Sequence, residues 1–556
     1  METSYTLLLI DFFQWSMITN FSDYMITKRL PYQIYAYINW ITVRPFDRTT
    51  QIQLSLEDRY SFTKMTLEVE VISKEIIKPS SPTPDHLRYY RFSSVDQTLI
   101  PPIYISTVHF FEFNSETQPN ITEISNHLKT SLAEVLTLYY PLAGRAHDNL
   151  HIDCNDEGVP FLVAHVNNCK LSDVLCNPIP DELTKLVVFE LDDVDNKIPL
   201  GVQLNVFECG GFAIGQCISH KIADGLSMLM FSRAWAATAR RALGDHQAEI
   251  QHPEFISATL FPPKLFVQQP PFGVAKNKFV TKRFVFDASN IEYLRAKYVG
   301  TTMKRPSRVE TLSAFIWSRF VPIFKDDGIH DHQKFHSVFH AVNLRPRFDP
   351  PLPPHSVGNL ISVACSTPSL LNTGEECYGL ARQIRESISK IDKDYIKRLQ
   401  QGANGNVGAD GNMILSYGEE KVTFMFTSLC KYPLYDSDFG WGIPSWVYVR
   451  APAPYFNNVL VIFSDTKDTN GIEAYINSTK EVMAKLESDS EFLQRVCPSW
   501  IGSGSILTNQ RTPFANLHSR NRPRMIKRPS AYAPQPKVVT WAASSAKLAV
   551  KVLKRK

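Results

Sequence analysis

The order of apolar and polar positions predicts alternating strands and helices over most of the chain. Residues 68–72 alternate polar and apolar side chains, and residues 282–286 have a strand composition. Residues 459–463 form a continuous apolar run that is typical of a buried strand. Apolar residues at helical spacing predict helices over 122–138 and 479–493. Alternation of this kind favours an α/β protein.

One helix start carries a specific sequence signal. Ser289 lies three residues before Glu292, which is the spacing of a capping box. The pattern predicts that Ser289 caps a helix whose apolar side includes Ile291 and Leu294.

Composition divides the chain of 556 residues into a globular centre and two unlike ends. A Pro- and Gln-rich stretch without a clean period separates two halves of similar size, and we interpret it as a crossover linker. The expected segments are an N-terminal extension outside the core (1–64), a first domain (65–250), the linker (251–277), a second domain (278–498) and a basic, disordered C-terminal extension (499–556).

Charge is distributed unevenly between the body and the C-terminal end. The chain has 59 Lys and Arg against 55 Asp and Glu, and residues 501–556 hold twelve of the basic residues and none of the acidic ones. The first 500 residues therefore carry 47 basic and 55 acidic side chains. This mildly acidic body gives no electrostatic reason to expect a nucleic-acid partner.

The cysteines and the N-terminal residues indicate the cellular compartment in which the protein is expected. Nine cysteines are widely spaced and include no C-x-x-C pair, so a disulfide framework or a zinc ribbon is not indicated, and no metal is expected. The apolar stretch at 7–10 is shorter than a secretory signal or a membrane span requires. We therefore expect a cytoplasmic protein without a membrane partner.

The most informative stretch for chemistry runs from Gly210 to Trp235. It predicts a short buried strand, a tight polar turn with His220 and Asp224, and then a helix. Gly225 can adopt the positive φ that a sharp turn requires. An imidazole has an unperturbed pKa near neutrality, so His220 is suited to take a proton from a hydroxyl or amine.

Asp224 has two interpretations at this stage. Its carboxylate either orients the His220 ring or holds the turn closed. By itself, an H-x-x-x-D spacing is more often a buried histidine hydrogen-bonded within a turn than a catalytic site.

A second motif gives the H-x-x-x-D spacing a specific interpretation. Residues 438–442 read Asp-Phe-Gly-Trp-Gly, and further matching segments include Tyr-Tyr-Pro-Leu-Ala-Gly-Arg at 139–145 and Val-Asn-Leu-Arg at 342–345. Together with H-x-x-x-D at 220–224, they resemble the BAHD family of plant acyl-CoA-dependent acyltransferases. The resemblance extends from Met65 to about Pro498.

The resemblance implies a fold and a reaction. The fold is α/β, with two chloramphenicol-acetyltransferase-like domains joined by a crossover loop and a central solvent channel. The co-substrate is acyl-CoA, with acetyl-CoA the best guess, and His220 is the general base of a direct ternary-complex transfer. A thioester is already an activated donor, and the chain has no G-x-S-x-G elbow that would suggest an acyl-enzyme.

The resemblance also assigns roles around the second motif. Asp438, Gly440 and Gly442 are expected to maintain shape rather than to react, with Arg345 as the candidate partner of the Asp438 carboxylate. Asp224 is expected to hold His220 and its turn.

Two further assignments concern the transition state and the cofactor. The family often carries Trp two positions after the residue that corresponds to Thr427, whereas this chain has Leu429. The Thr427 hydroxyl is therefore the candidate for transition-state support. Ser307 and Arg308 are the candidate CoA contacts.

The expected function is thus transfer of an acyl group to a hydroxyl of a plant specialised metabolite, with N-acylation less favoured. The partners are a small-molecule alcohol or amine acceptor, and the chain is expected to act as a monomer. Two alternatives remain open: a non-catalytic small-molecule binder on the same fold, and a polyanion- or membrane-surface role for the basic tail.

Overall fold

A computed structural model describes ten segments of the chain, which are residues 66–112, 120–189, 197–264, 279–299, 305–326, 337–366, 376–402, 422–451, 459–467 and 470–497. The expected extensions 1–64 and 499–556 lie outside the described residues.

These segments form fifteen described strands and twelve described α-helices. The strands are β1 (Val69–Ile77), β2 (Tyr89–Arg91), β3 (Tyr104–Phe111), β4 (Arg145–His147), β5 (His151–Asp153), β6 (Val159–Val166), β7 (Leu200–Phe207), β8 (Phe212–Ser219), β9 (Phe279–Phe286), β10 (Ser337–Asn343), β11 (Ile361–Ser366), β12 (Thr423–Ser428), β13 (Trp446–Arg450), β14 (Val459–Asp465) and β15 (Ile472–Thr479). The helices are α1 (Ser94–Thr98), α2 (Ile121–Leu138), α3 (Leu171–Cys176), α4 (Pro180–Leu183), α5 (Gly225–Ala242), α6 (Ser257–Leu260), α7 (Ala288–Lys297), α8 (Arg308–Asp326), α9 (Glu376–Ser389), α10 (Lys393–Gln400), α11 (Lys480–Leu486) and α12 (Ser490–Leu493).

The first of two mixed sheets is covered by the helices α2 and α5. Its six strands have the order β1-β6-β7-β8-β3-β13, in which only β6 and β7 pair in parallel. Leu128 and Leu132 of α2 pack with Trp235 of α5 in a continuous apolar core. The Trp235 indole N–H donates to Ser131 Oγ at 3.1 Å, which satisfies the polar atom of a fully buried ring.

The second sheet also has six strands, in the order β11-β10-β12-β14-β15-β9. The pairs β10–β12 and β12–β14 are parallel, and the other neighbours are antiparallel. Phe315 and Phe320 of α8 pack against the sheet beside Phe424 and Phe463. A small three-stranded sheet, β2-β5-β4, completes the strand pairing.

Strand β13 connects the two sheets, because it comes from the second half of the chain and pairs with β3 in the first sheet. Its Trp446 indole N–H donates to Glu473 Oε1 of β15 at 3.2 Å. Glu473 also forms a buried ion pair with Arg283 of β9 at 2.8 Å. An apolar cluster that includes Cys217 of β8 and Ile462 of β14 fills the space between the sheets.

Most elements predicted from the pattern are present. Strands β9 and β14 contain the predicted ranges, β1 begins one residue after the predicted start at 68, and α2 covers the predicted helix. The predicted helix over 479–493 is two helices, α11 and α12. The predicted cap is wrong: Asp287 caps α7 by accepting from the Asn290 amide, while Ser289 Oγ donates to the Asp287 carboxylate. A carboxylate two positions earlier outcompetes the serine for the free amide at the helix N-terminus.

The two-sheet architecture confirms the expected α/β class, and the division of the chain at 251–277 stays a prediction. In the described part of that segment, Glu254 forms an isolated parallel bridge with Ser356, and the Glu254 amide donates to His355 O at 3.0 Å. None of the helices in the described segments has both the length and the apolar character that crossing a bilayer requires. Those segments also contain no group of three or more His, Cys, Asp or Glu side chains arranged to hold a metal ion.

Candidate active site

His220 lies where strand β8 ends, in a turn that leads directly into helix α5. Residues 212–219 are all buried, which fixes the end of β8 in the middle of the first sheet. We call residues 220–224 the histidine turn. Its first residue is partly exposed, whereas Ile222 and Ala223 are buried, so the turn presents the imidazole while burying its other side chains.

The His220 ring is held in one tautomer. Its Nδ1 lies 3.0 Å from the main-chain oxygen of Ala223, and because a carbonyl oxygen only accepts, Nδ1 carries the proton and donates. Nε2 is then left with its lone pair. Burial lowers the pKa of the imidazole, although the Asp224 charge and the bond to Ala223 oppose this shift. The ring is therefore neutral at neutral pH and its Nε2 can accept a proton.

Asp224 holds the turn rather than the ring. Its carboxylate caps α5 by accepting from the Ser227 amide at 2.8 Å, and it also accepts from the Leu360 amide at 3.2 Å. Among the described residues, no hydrogen bond joins this carboxylate to the His220 ring. Of the two interpretations left open by the sequence, the structure supports closure of the turn.

Arg345 is the main partner of Asp224, and the predicted pairing of Arg345 with Asp438 is wrong. Its Nη1 and Nη2 donate to the two carboxylate oxygens of Asp224 at 2.7 and 3.1 Å, and both side chains are buried. Burial alone would raise the pKa of Asp224, but the Arg345 charge and the hydrogen bonds outweigh it and lower the pKa. Asp224 is as deeply buried as the Arg345 guanidinium, whereas the Asp438 carboxylate is partly exposed and accepts from two amides of its own turn.

Gly225 differs from its predicted role. It is the first residue of α5 and does not adopt a positive φ. Its lack of a side chain matters for another reason: a Cβ atom at this position would lie 2.7 Å from Cδ2 of Leu429. The buried Leu429 side chain therefore lies directly against the start of the helix that follows the histidine turn.

Thr427 belongs to the same strand end as Leu429. It lies in β12, pairs with Ile462 of β14 and is partly exposed. Side chains two apart on a strand share a face, and Met425 of β12 packs against the apolar cluster between the sheets. Thr427 therefore lies on the face of β12 that is turned toward the first sheet.

The two candidate CoA residues, Ser307 and Arg308, lie at the start of α8. Ser307 Oγ accepts from the Glu310 amide, and Glu310 Oε2 accepts from the Ser307 amide, which forms a capping box. Arg308 donates to Asp465 Oδ1 at 2.7 Å and to Asn470 O at 2.9 Å. Of the two predicted CoA contacts, Ser307 therefore caps α8, and Arg308 is a cation that already has a carboxylate partner.

Asp465 ties this helix start to the end of β12. Its second carboxylate oxygen accepts from the amide of Lys431, two residues beyond Leu429. Arg308, Asp465 and the strand end that carries Thr427 are therefore neighbours, and the structure brings the second-domain candidates together at one end of the second sheet.

The motif at 438–442, which we call the aromatic turn, is a packed local structure. The Asp438 carboxylate accepts from the amides of Gly440 and Gly442 at 2.8 and 2.9 Å. Both glycines have positive φ, 108° and 95°, a conformation that favours glycine. The Phe439 ring is fully buried against Trp235.

The aromatic turn lies far along α5 from the histidine turn. Arg240 near the end of α5 donates to the main-chain oxygen of Asp438 at 2.9 Å. Fifteen residues of helix separate Gly225 from Arg240, which corresponds to about 22 Å along the axis. The aromatic turn therefore supports the far end of the helix whose N-terminus carries the histidine turn.

Sequence reasoning missed the residues that hold the histidine turn from outside the motif. Ser227 Oγ accepts from Arg345 Nη2 at 2.9 Å, and Asn359 Nδ2 donates to the His220 main-chain oxygen at 2.6 Å. Ser227 could have been found from the sequence, because it is a polar residue in the first turn of an otherwise apolar helix start. Nothing in the local sequence around Asn359 indicates its partner, which is 139 residues away.

The residues of this site can transfer a proton by themselves. A fixed, neutral imidazole with an accepting Nε2 can take a proton from a hydroxyl, and no step requires the protein itself to become acylated. The buried Asp224–Arg345 pair holds the turn and is not placed to exchange protons with the ring.

Comparisons with known proteins give the same family as the residues. A family model described as Transferase family matches residues 67–493. The chain is 36% identical over 435 residues to stemmadenine O-acetyltransferase of Catharanthus roseus, covering 76% of this chain and 97% of that protein. It is 37% identical over 446 residues to limonoid 21-O-acetyltransferase of Melia azedarach, covering 78% and 99%. The crystal structure of vinorine synthase matches with a TM-score of 0.66 at 33% identity, covering 77% and 98%.

The matched family model spans most of the chain, and relatives above 30% identity are covered over nearly their whole length. The chain therefore belongs to the transferase family that the sequence resemblance indicated, the BAHD acyltransferases.

Proposed function

We propose that this chain transfers an acyl group, with acetyl as the best-supported one, from acyl-CoA to a hydroxyl of a plant specialised metabolite. The observation that carries the proposal is the His220 ring, whose Nδ1 donates to Ala223 O and whose Nε2 is thereby left as a proton acceptor. The names of the similar O-acetyltransferases give stemmadenine and a limonoid as their acceptors, which supports a bulky acceptor alcohol for this chain.

The reaction proceeds in one ternary complex. Nε2 of His220 takes the proton of the acceptor hydroxyl as its oxygen attacks the thioester carbonyl. The tetrahedral intermediate then collapses, the carbon–sulfur bond breaks, and the imidazolium returns the proton to the leaving thiolate. The products are an ester and free CoA, and His220 ends in its starting state.

Two further residues are assigned as hydrogen-bond donors, one to the developing oxyanion and one to the CoA phosphates. The partly exposed Thr427 is the candidate oxyanion donor, since it lies on the face of β12 turned toward the first sheet. Arg308 is the candidate phosphate contact, and it would bind in place of, or together with, its bond to Asp465. A solvent channel between the two sheets, a monomeric state and a cytoplasmic location are parts of the same proposal.

The test measures release of free thiol from acetyl-, benzoyl- and coumaroyl-CoA with pooled plant alcohols. We expect wild type to release thiol with acetyl-CoA, and His220→Ala to lower kcat by about 10²- to 10⁴-fold, the usual contribution of a general base. The exposed His86 supplies the matched control, and His86→Ala should retain wild-type kcat. Because the pKa of His220 is lowered, kcat/KM should be at its plateau at neutral pH and should fall only at acidic pH, as the ring takes up a proton.

Two outcomes would contradict the proposal. Activity that persists in His220→Ala would remove the assigned base. A wild type that binds the alcohols without any thiol release would favour a non-catalytic binder on the same fold.

A further inference from the structure

Asn359 is a fully buried residue of the second half of the chain that contacts the main chain of His220. Its Nδ2 donates to the His220 carbonyl oxygen at 2.6 Å and to Asp96 Oδ1 at 2.8 Å. Asp96 belongs to α1 in the first half, where it forms a capping box with Ser93. One amide group therefore joins α1, the histidine turn and the segment before β11.

The orientation of this amide is fixed by its partners. Both partners of Nδ2 are oxygens that accept, so a flipped amide would place Oδ1 of Asn359 against the Asp96 carboxylate and the His220 carbonyl. Asn359 Oδ1 itself has no hydrogen-bond partner among the described residues. The side chain is thus held as a double donor to the Asp96 carboxylate and the His220 carbonyl, and it also lies near enough to the imidazole to oppose the lowering of the His220 pKa.

The neighbours of Asn359 bind the same region. The Gly358 amide donates to Ser227 Oγ at 3.2 Å, and the Leu360 amide donates to Asp224 Oδ2 at 3.2 Å. Three consecutive residues of the second half therefore attach to the histidine turn and to the first turn of α5, and Asn359 is the one that reaches His220.

The residue after His220 is held just as firmly. Lys221 is buried, and its Nζ donates to the main-chain oxygens of Asp96 and Ile100 at 2.7 and 2.6 Å. On the other side, the His220 amide donates to Ile103 O at 2.7 Å. Among the described residues of the second half, Asn359 is consequently the one that hydrogen-bonds to the peptide group between His220 and Lys221.

We propose that Asn359 is a positioning residue for the proposed acyl transfer: its amide holds the His220 carbonyl and thereby places Nε2 of the imidazole between donor and acceptor. The inference rests on His220 being the general base. A rotation of the 220–221 peptide moves the Cα of His220 and displaces the ring, since the ring is attached to this main chain and hydrogen-bonded within the same turn. Displacement of a reacting group by about 1 Å can cost about 10²-fold in rate.

The test compares Asn359→Ala with a matched variant, Asn477→Ala. Asn477 of β15 is also a buried asparagine, its Nδ2 donates to Thr281 Oγ1 at 2.8 Å, and its Oδ1 also lacks a partner among the described residues. We expect Asn359→Ala to lower kcat by about 10- to 100-fold, while KM for acyl-CoA and for the acceptor stays within about twofold. Asn477→Ala should lower the melting temperature by a similar amount and keep kcat within about twofold.

The outcomes separate the positioning role from stability and from the proposed function. A folded Asn359→Ala enzyme with wild-type kcat would overturn the positioning role while leaving His220 as the base. Equal loss of kcat in both variants would also overturn it, because general destabilisation would then explain the effect. If Asn359→Ala does not fold, Asn359→Ser is compared with Asn477→Ser by the same criteria. A wild type without thiol release would instead refute the proposed function, and the positioning role with it.

Discussion

The two motif aspartates, Asp224 and Asp438, show how similar sequence signatures do different physical work. Asp224 is buried and binds a guanidinium 121 residues away, so it joins the two halves of the chain at the histidine turn. Asp438 is partly exposed and binds the amides of two glycines within four residues, so it closes only its own turn. A carboxylate in a signature motif is therefore not evidence of chemistry until its partners are known.

The two turns also differ in what they support. The histidine turn is held by a hydrogen-bonded network that includes a charge pair and residues from both halves. The aromatic turn is held by ring packing, with Phe439 against Trp235 and Trp441 against Phe212. Changes at the first turn should therefore alter the position of a reacting group, and changes at the second should alter stability alone.

The largest expected effect follows from breaking the buried pair at the histidine turn. Arg345→Met leaves the Asp224 carboxylate buried without its cation, and removal of one partner of a buried ion pair costs about 3–5 kcal/mol. We expect this loss in the free energy of unfolding, measured by denaturant titration, together with loss of acyl transfer. Asp224→Asn/Arg345→Met should be more stable than Arg345→Met, since no uncompensated charge then remains. Additive effects in this cycle would contradict the direct coupling of the two side chains.

The next effect compares two glycines of the aromatic turn. Gly440→Ala introduces a strained positive φ and a close contact with the end of the exposed Leu243 side chain. Gly442→Ala introduces only the strain, because no non-neighbouring atom of the described residues lies within 4 Å of its Cβ position. We expect each variant to lower the free energy of unfolding by about 1–2 kcal/mol, because the backbone strain is common to both and the exposed end of Leu243 can move aside. Both variants should keep wild-type kcat at a temperature where they are folded. A loss at Gly440→Ala that exceeds the loss at Gly442→Ala by about 1 kcal/mol or more would show that Leu243 cannot move aside.

The contact between Gly225 and Leu429 provides a smaller effect at the histidine turn. Gly225→Ala forces Cδ2 of Leu429 to move, but the end of a leucine side chain is flexible and alanine favours the helix, so stability should change by no more than about 1 kcal/mol. We expect kcat to fall less than about tenfold, because the displaced side chain lies against the start of α5. Gly225→Ala/Leu429→Ala should restore the lost fraction. A double variant no better than Gly225→Ala would exclude this contact as the cause.

The local structure of this site could be predicted from the sequence, whereas hydrogen-bond partners far away along the chain could not. The strand, turn and helix around His220 were predictable, because a buried run, a polar turn and a helical apolar pattern follow one another along the chain. The cap of α7 was misassigned to Ser289 although Asp287 was two positions away, since several side chains compete for one free amide. Local rules name the candidates, and geometry selects among them.

Partners from distant segments could not be read from spacing. Arg345 was correctly singled out but assigned to Asp438, because both aspartates belong to motifs and only burial distinguishes them. The role of Gly225 depends on Leu429, a residue just after β12 that is 204 positions away along the chain, rather than on any local turn requirement. The sequence does not single out Asn359, because its partner is the main-chain oxygen of His220, and every residue has such an oxygen.

The smallest expected effect is the one that tests the comparison most directly. Asp438→Asn keeps an oxygen that can accept from the amides of Gly440 and Gly442 and removes only the charge, so the free energy of unfolding should fall by about 0.5–1 kcal/mol. Steady-state kinetics should give an unchanged kcat, because the aromatic turn lies about 22 Å along α5 from the histidine turn. Asp224→Asn, the equivalent change at the other turn, leaves the Arg345 charge buried and should lower both stability and kcat. A kcat reduced 100-fold in a fully folded Asp438→Asn enzyme would mean that the aromatic turn acts on the reaction itself, and the contrast between the two aspartates would fail.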